Sequence, residues 1–490
     1  MKIRVLLKRC LLIGVSLSLG AGWFARAADY PSAYDLRSHG LLTAVKNQQD
    51  LGDCWAFAST TAFEGSLLKR GLMSGPTDPS GHLSPWHLAT RSGTEPSLTP
   101  QMEDGHLSYE NWGANFYHSI GYYTRGRGAW DSPTPDSTIP QLGGGPVLTS
   151  SNSLNAYPSA AAEAYEDLSP YVPPADQPTA FGVKQAVFIN QGQHSASTQI
   201  NRIKDGLLTF GALGTAIYMD QSIINKTDWT YIYTGSESTD HDVAIVGWDD
   251  SKVVSGASST GAWLIQNSWG SDWGDGGYFW ISYEDAHAGK SSTMAIEAMS
   301  MENYSQTVLQ NQYFYADNYL QIEELSTMSA AAILTVAEAG MLDAIGIITG
   351  AENMTVRVSI YTSWDDVTNA PEDLLITTTD TLELIGYHLI ELSEELAYEA
   401  GDEIVVIVEY DSDSIYYDAK SEVNAGVSYY YDGSEWVDLA SENTPGTFFA
   451  KGLMLVPEPA HWAALAGLIV LGVLVWRKRD SRVRLAGVEG

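Results

Sequence analysis

The chain has 490 residues, a length that suits two or more domains better than one. Apolar residues make up 44% and charged residues 18%, an ordinary globular balance, yet the net charge is -34. A surface that acidic repels phosphate backbones and excludes nucleic-acid binding, and its simplest role is solubility in salty or cation-rich surroundings.

The first 28 residues combine a basic start (Lys2, Arg4, Lys8, Arg9), an apolar run and an Ala25-x-Ala27 site. They predict a secretory signal peptide cut near Ala27 or Ala28, with an uncleaved anchor as the alternative. Cys10 leaves with that peptide, so the mature chain keeps one thiol, Cys54, and no internal disulfide. The stretch CWAFASTTAFEGSLLKRG spaces Trp55, Phe57, Ala58, Ala62 and Leu67 as a helix, with Gly71 as its C-terminal stop. Cys54 then sits at a helix N-terminus, where unpaired N–H groups favour a thiolate. Residues 131–178, rich in Pro, Ser and Gly, read as a surface insertion. IKDGLLTFGALGTAIYMD reads as helix, glycine turn and strand; HDVAIVGWDD and AWLIQNSWG read as strands.

Amide cleavage by a thiol needs a nucleophile, a neighbouring imidazole, a group that orients the imidazole, and donors for the oxyanion. The chain supplies candidates in order. Cys54 is the nucleophile, and Gln48 offers a side-chain amide to the oxyanion beside the Cys54 backbone N–H. His241 opens a predicted strand as base and acid, Asn267 can accept from its far nitrogen, and Trp269 can lie over the pair and exclude water. Taken singly, each residue has a bland reading as core, cap or surface. No metal site is expected, because His82, His87, His106 and His118 have no ligand spacing.

From about Tyr30 to Glu284 the chain resembles the papain-like cysteine peptidases, through PSAYDLRSHGLLTAVKNQ, LGDCWAFAST, LSPWHL, DHDVAIVGWDD and WLIQNSWGSDWGDGGYFWISY. The resemblance implies a helical lobe and a barrel-like β lobe with the cleft between them. It puts Gln48, Cys54, His241 and Asn267 on the family's oxyanion, nucleophile, base and orienting positions, and Trp269 on its shielding tryptophan. It implies a protein or peptide substrate and no cofactor. Gly113 and Ala114 fall where the family often has a Gly-Gly pair that meets substrate main chain, and Asp240 joins them as a candidate substrate-binding residue. The family's Cys-Gly-Ser-Cys is here Leu51-Gly52-Asp53-Cys54, which removes a disulfide cysteine and sets a carboxyl beside the thiol. That carboxyl should raise the thiol pKa.

After about Met301 short β-like runs follow one another: AAILTVAEA, LDAIGIITG, TVRVSIYTS, EIVVIVEY and VSYYYDG. This region, 303–455, resembles the lectin-like module that follows some bacterial papain-like peptidases. Tyr416-Tyr417 and Tyr429-Tyr430 are candidates for stacking on a carbohydrate, though such pairs also suit strands. Ala460 to Trp476 is apolar and just long enough to span a bilayer, with Arg477, Lys478 and Arg479 behind it. Val456-Pro457-Glu458-Pro459 before that run resembles a PEP-CTERM sorting tail, which implies an exosortase-type sorting enzyme as a partner; a permanent anchor is the alternative.

The expected fold class is therefore α+β. A two-lobed papain-like catalytic domain (29–300) precedes an antiparallel β-sandwich (303–455) and a tail (456–490) with a transmembrane helix. The expected function is that of a secreted, surface-sorted cysteine peptidase. Its rival is a catalytically weak surface binding protein whose lectin-like domain holds a polysaccharide or protein.

Overall fold

The computed structural model describes residues 30–48, 52–78, 115–125, 180–290, 292–308, 318–322, 325–419 and 423–455, with short pieces at 83–85, 88–89, 102–103 and 106–107. The signal segment 1–28, the insertion 131–178 and the tail 456–490 lie outside the described residues. So does the expected span 460–476. Among the described residues no helix is long and apolar enough to cross a membrane.

The Cys54 stretch folds as one helix, α1 (Cys54–Lys69), in which Trp55 through Leu68 are all buried. A helix covered on every side must satisfy its own polar groups. Glu64, in its middle, accepts from Thr43 Oγ1 and Lys46 Nζ, while the Leu83 N–H donates to its other oxygen at 2.9 Å. Gly65 lets the Ala212 backbone approach; a Cβ there would lie 2.8 Å from the Ala212 nitrogen. The helix ends as the sequence predicts. Gly71 takes φ +69°, its N–H reaches the Leu68 carbonyl, and the Leu72 N–H reaches that of Leu67.

Two apolar clusters form the two expected lobes. One gathers α1 with the short helix α2 (Phe116–Thr124), around Trp55, Phe63, Ile120 and Tyr123. The other gathers helix α3 (Ala196–Phe210) and the strands around Trp248, Trp263, Ile265 and Phe279. Gly211, at φ +98°, turns α3 into the strand Leu213–Ile217. That strand pairs with His241–Asp249, which pairs in turn with Ala262–Gln266.

Among the described residues the strands after Met301 build two large sheets, as the alternating apolar runs predict, and a small three-stranded one (Asn318–Gln321, Ser414–Asp418, Thr447–Phe448). A six-stranded sheet runs in the order Ala370–Leu382, Met354–Asp365, Glu403–Tyr410, Met328–Thr335, Ser428–Tyr431, Trp436–Asp438. Its partner is not a separate sheet. It continues the sheet of the first region, because Ile385–Tyr398 pairs antiparallel with Phe181–Phe188, from Ile385 opposite Phe188 to His388 opposite Gln185. One twelve-stranded sheet thus runs through both regions. Ile348, Tyr387 and Phe449 share the apolar cluster of α1. Polar links reinforce the joint. Arg202 meets Glu352 at 2.5 Å, His194 meets the same carboxylate at 3.1 Å, and buried Lys451 donates to Thr124 Oγ1 at 2.8 Å.

The tyrosine pairs proposed for sugar stacking are instead mostly core. Tyr417, Tyr429 and Tyr430 are buried, and Tyr416 packs, half-buried, against the α1 cluster.

Candidate active site

Cys54, Gln48, His241, Asp240, Asp242 and Trp269 line one cleft of about 680 Å³ between the two lobes. Cys54, His241 and Asp242 are placed by regular elements. Cys54 is the first residue of α1, and His241 is the first residue of its strand. Asn267 follows directly on the strand Ala262–Gln266.

The imidazole is fixed from two sides. His241 Nε2 lies 2.8 Å from Asn267 Oδ1. The Ser268 N–H donates to the same oxygen at 2.8 Å, which identifies it as the oxygen of the amide and makes Nε2 the protonated nitrogen. Nδ1 is then the basic nitrogen. The Trp269 ring stacks on the imidazole at 4.9 Å and 23°. Trp273 packs edge-on against Trp269 at 5.0 Å, so the shield is itself supported.

Gln48 is 5% exposed, and its Oε1 accepts from Ser268 Oγ, while its backbone N–H donates to the Ser268 carbonyl at 2.7 Å. With the amide oxygen held by Ser268, the other end of the amide carries the N–H donors that an oxyanion needs. Ser268 therefore contacts both Gln48 and Asn267. Sequence reading missed it, although its place inside the Asn267-Ser268-Trp269 run was a usable signal.

The thiol differs from the expectation. A helix N-terminus favours the thiolate, and the Asp242 N–H does donate to Cys54 Sγ at 3.4 Å. Burial outweighs this and pushes the Cys54 thiol up to about 12, with the Asp242 carboxyl and, less strongly, Asp53 adding to the rise. Burial also pushes His241 down from its ordinary value, although Asn267 and Asp240 oppose the shift. Both shifts favour a neutral thiol beside a neutral imidazole. Asp53 was the expected perturbing carboxyl, but Asp242 is the stronger one.

Asp242 is 9% exposed and sits opposite Ala216 on the neighbouring strand. Burial pushes its carboxyl up to about 7. Asp240 is exposed at the cleft rim, and its Oδ1 accepts from the Met219 N–H at 2.8 Å. Gly113 and Ala114 lie outside the described residues. Asn115 is described; it caps α2 through the Tyr117 N–H and lines the cleft.

Comparison with known proteins bears on the family and the fold. The sequence model described as "Papain family cysteine protease" matches residues 30–74 and 158–303, and that described as "Lectin like domain" matches 314–452. Cysteine endopeptidase Rep1 of Oryza sativa subsp. japonica is 24% identical over 271 residues, covering 55% of this chain and 58% of its own. A cathepsin L-like peptidase of Aedes aegypti is 28% identical over 269 residues, covering 53% and 62%. The chain thus spans about three-fifths of the length of these relatives. The crystal structure of the cysteine protease and lectin-like domains of Cwp84, a surface layer associated protein of Clostridium difficile, is similar in fold. Its TM-score is 0.66 at 20% identity, covering 88% of this chain and 90% of that one. The chain carries a papain-family cysteine peptidase domain followed by a lectin-like domain.

Proposed function

We propose that the protein hydrolyses peptide bonds through a thioester on Cys54. The observation that carries this reading is the shared cleft of Cys54, His241 and Gln48, with His241 locked onto Asn267 at 2.8 Å. His241 Nδ1 takes the thiol proton as sulfur attacks the carbonyl carbon. The Gln48 amide and the Cys54 N–H hold the oxyanion. His241 then returns the proton to the departing amine, and water, deprotonated by the same imidazole, hydrolyses the thioester. Asn267 suits the orienting place because a thiolate–imidazolium pair needs no third charge. Because burial pushes both groups toward their neutral forms, proton transfer goes with attack, and the two new charges stabilise each other across the cleft.

Labelling tests this. A peptidyl epoxide should modify Cys54 stoichiometrically, unfolded casein should be cleaved, and His241→Ala should abolish both. No casein hydrolysis and no labelling beyond that of free thiol would overturn the peptidase reading. The rival is a binding protein with a weakened thiol. It is favoured by the two carboxyls that push Cys54 up, and in that case labelling is slow and casein stays intact.

We infer further that the protein is exported and sorted to the cell surface. The basic, apolar and Ala25-x-Ala27 sequence at the start supports this, as does the Pro457-Glu458-Pro459, apolar and basic sequence at the end. The description of Cwp84 as surface layer associated agrees with this placement. An exosortase-type enzyme is the sorting partner, and a carbohydrate is the candidate ligand of the lectin-like region. Mass spectrometry of the mature protein would find both ends cut; an intact tail retained in the membrane fraction would replace sorting by permanent anchoring.

A further inference from the structure

Asp242 is a buried carboxyl in the cleft for which the chemistry above has no use. Its N–H serves the sulfur, but its side chain takes no part in the hydrolysis. Among the described residues no Lys or Arg pairs with it and no donor reaches its carboxyl, and burial pushes the group up. Buried carboxylates normally have a cation or several hydrogen bonds.

The charged groups around it are few. Cys54 faces it from the start of α1, where Asp53, just before the helix, acts on the same thiol; His241 is on its own strand and Asp240 just precedes that strand. Lys46 reaches a small cavity that Asp242 also borders, but its ammonium is held by Glu64. Among the described residues, His241, with burial pushing it toward the neutral form, is the one basic side chain that lines the cleft.

The walls beside Asp242 are of a different kind. Phe116, Tyr117, Phe188 and Ala216 line the same cleft, with Ser292. The Tyr117 and Phe188 rings lie 4.8 Å apart. An aromatic and aliphatic wall leading to a carboxyl suits a side chain with a long apolar stem and a cationic head.

We propose that Asp242 is a specificity-determining residue that selects peptides placing arginine or lysine in the pocket beside Cys54. The inference rests on the peptidase reading and deepens it. The stem covers the aromatic wall and the head pairs with the carboxylate. The pairing has a second effect. An ionised Asp242 opposes the thiolate, and a bound cation cancels that opposition. The right substrate therefore removes an obstacle to its own cleavage, so selection enters kcat as well as KM. The chain's net charge of -34 draws basic peptides toward the cleft from further away.

The test compares peptides carrying arginine, its neutral isostere citrulline, or leucine at each position N-terminal to the scissile bond. It uses the purified protein, with active sites counted by peptidyl epoxide. At one position the arginine peptide should exceed the citrulline peptide about 10- to 100-fold in kcat/KM, part of it in kcat. Asp242→Asn should reduce that ratio to about 2-fold or less and raise cleavage of the leucine peptide, while Asp242→Glu should keep the preference. Labelling and cleavage with no arginine preference at any position, or a preference that survives Asp242→Asn, overturns this inference alone. Absence of both labelling and cleavage overturns the peptidase reading and this inference with it.

Discussion

Ser268 shows how much of the site depends on a residue that touches no substrate. Its hydroxyl holds the Gln48 amide oxygen and its N–H holds the Asn267 oxygen. Gln48→Ala should lower kcat about 100-fold, the scale of one lost oxyanion donor. Ser268→Ala should lower it about 10-fold by letting the Gln48 amide rotate. In the Gln48→Ala background the second substitution should then cost little, and a double-mutant cycle on kcat would expose that coupling. Additive losses would mean that Ser268 acts through something else. Lys451 poses a separate question, because a lysine that is 1% exposed is unusual. Burial pushes its ammonium down to about 7, against a weaker pull from Asp418. The folded state therefore binds fewer protons than the unfolded chain between about pH 7 and the ordinary lysine pKa. This lysine's contribution to stability thus falls as pH falls through that window and levels off below it. Lys451→Met should flatten that slope. Urea melts of both proteins at pH 7 and pH 9 would read the difference, and parallel curves would show that the lysine is charged in the fold. The catalytic candidates were legible from the sequence because each stands in a short stretch of distinctive residue order. Ser268 was legible only through its place in the Asn267-Ser268-Trp269 run, and Asp242 was not, because its importance comes from the start of α1 and the neighbouring strand brought against it.

At the scale of elements, the strand Phe181–Phe188 joins the two regions, since its partners are Thr293–Ser300 on one side and Ile385–Tyr398 on the other. The close approach depends on Gly386. It has φ +139°, and a Cβ there would lie 2.4 Å from the Ala186 carbonyl oxygen. Gly386→Ala should cost about 2 kcal/mol or more through strain and a forced shift of the strand. Thermal melting would show the loss; an unchanged Tm would mean that the joint tolerates a wider spacing. The sequence announced the strands that read as Val, Ile and Tyr runs, such as EIVVIVEY and HDVAIVGWDD. It did not announce Ile385–Tyr398, whose IGYHLIELSEELAY is rich in Leu and Glu and has the propensity of a helix. That segment becomes a strand because flanking strands supply its hydrogen bonds. Such tertiary override has no local signal. The same blindness made the second region look like a separate sandwich.

For the whole molecule, the shared sheet and the shared α1 cluster predict one cooperative unit. Calorimetry should give a single transition with matching van't Hoff and calorimetric enthalpies. Two resolved transitions would contradict the joint. Cutting the chain before Tyr304 should bare the edge of Phe181–Phe188 and the apolar surface that Ile348, Tyr387 and Phe449 cover, so the peptidase region alone should aggregate. A soluble, casein-cleaving 29–303 fragment would refute this.

The strand Ala450–Leu455 is the last element described, and it lies between Tyr304–Val308 and Gly340–Thr349. Hydrogen bonds in such ladders stand across the strand, so a pull along it engages many of them together rather than one after another. If a tether follows residue 455, mechanical load enters the molecule at a position suited to resist it. The force then spreads into a sheet that also carries His241. A protein fixed to a surface and tugged by flow could keep its cleft intact under tension.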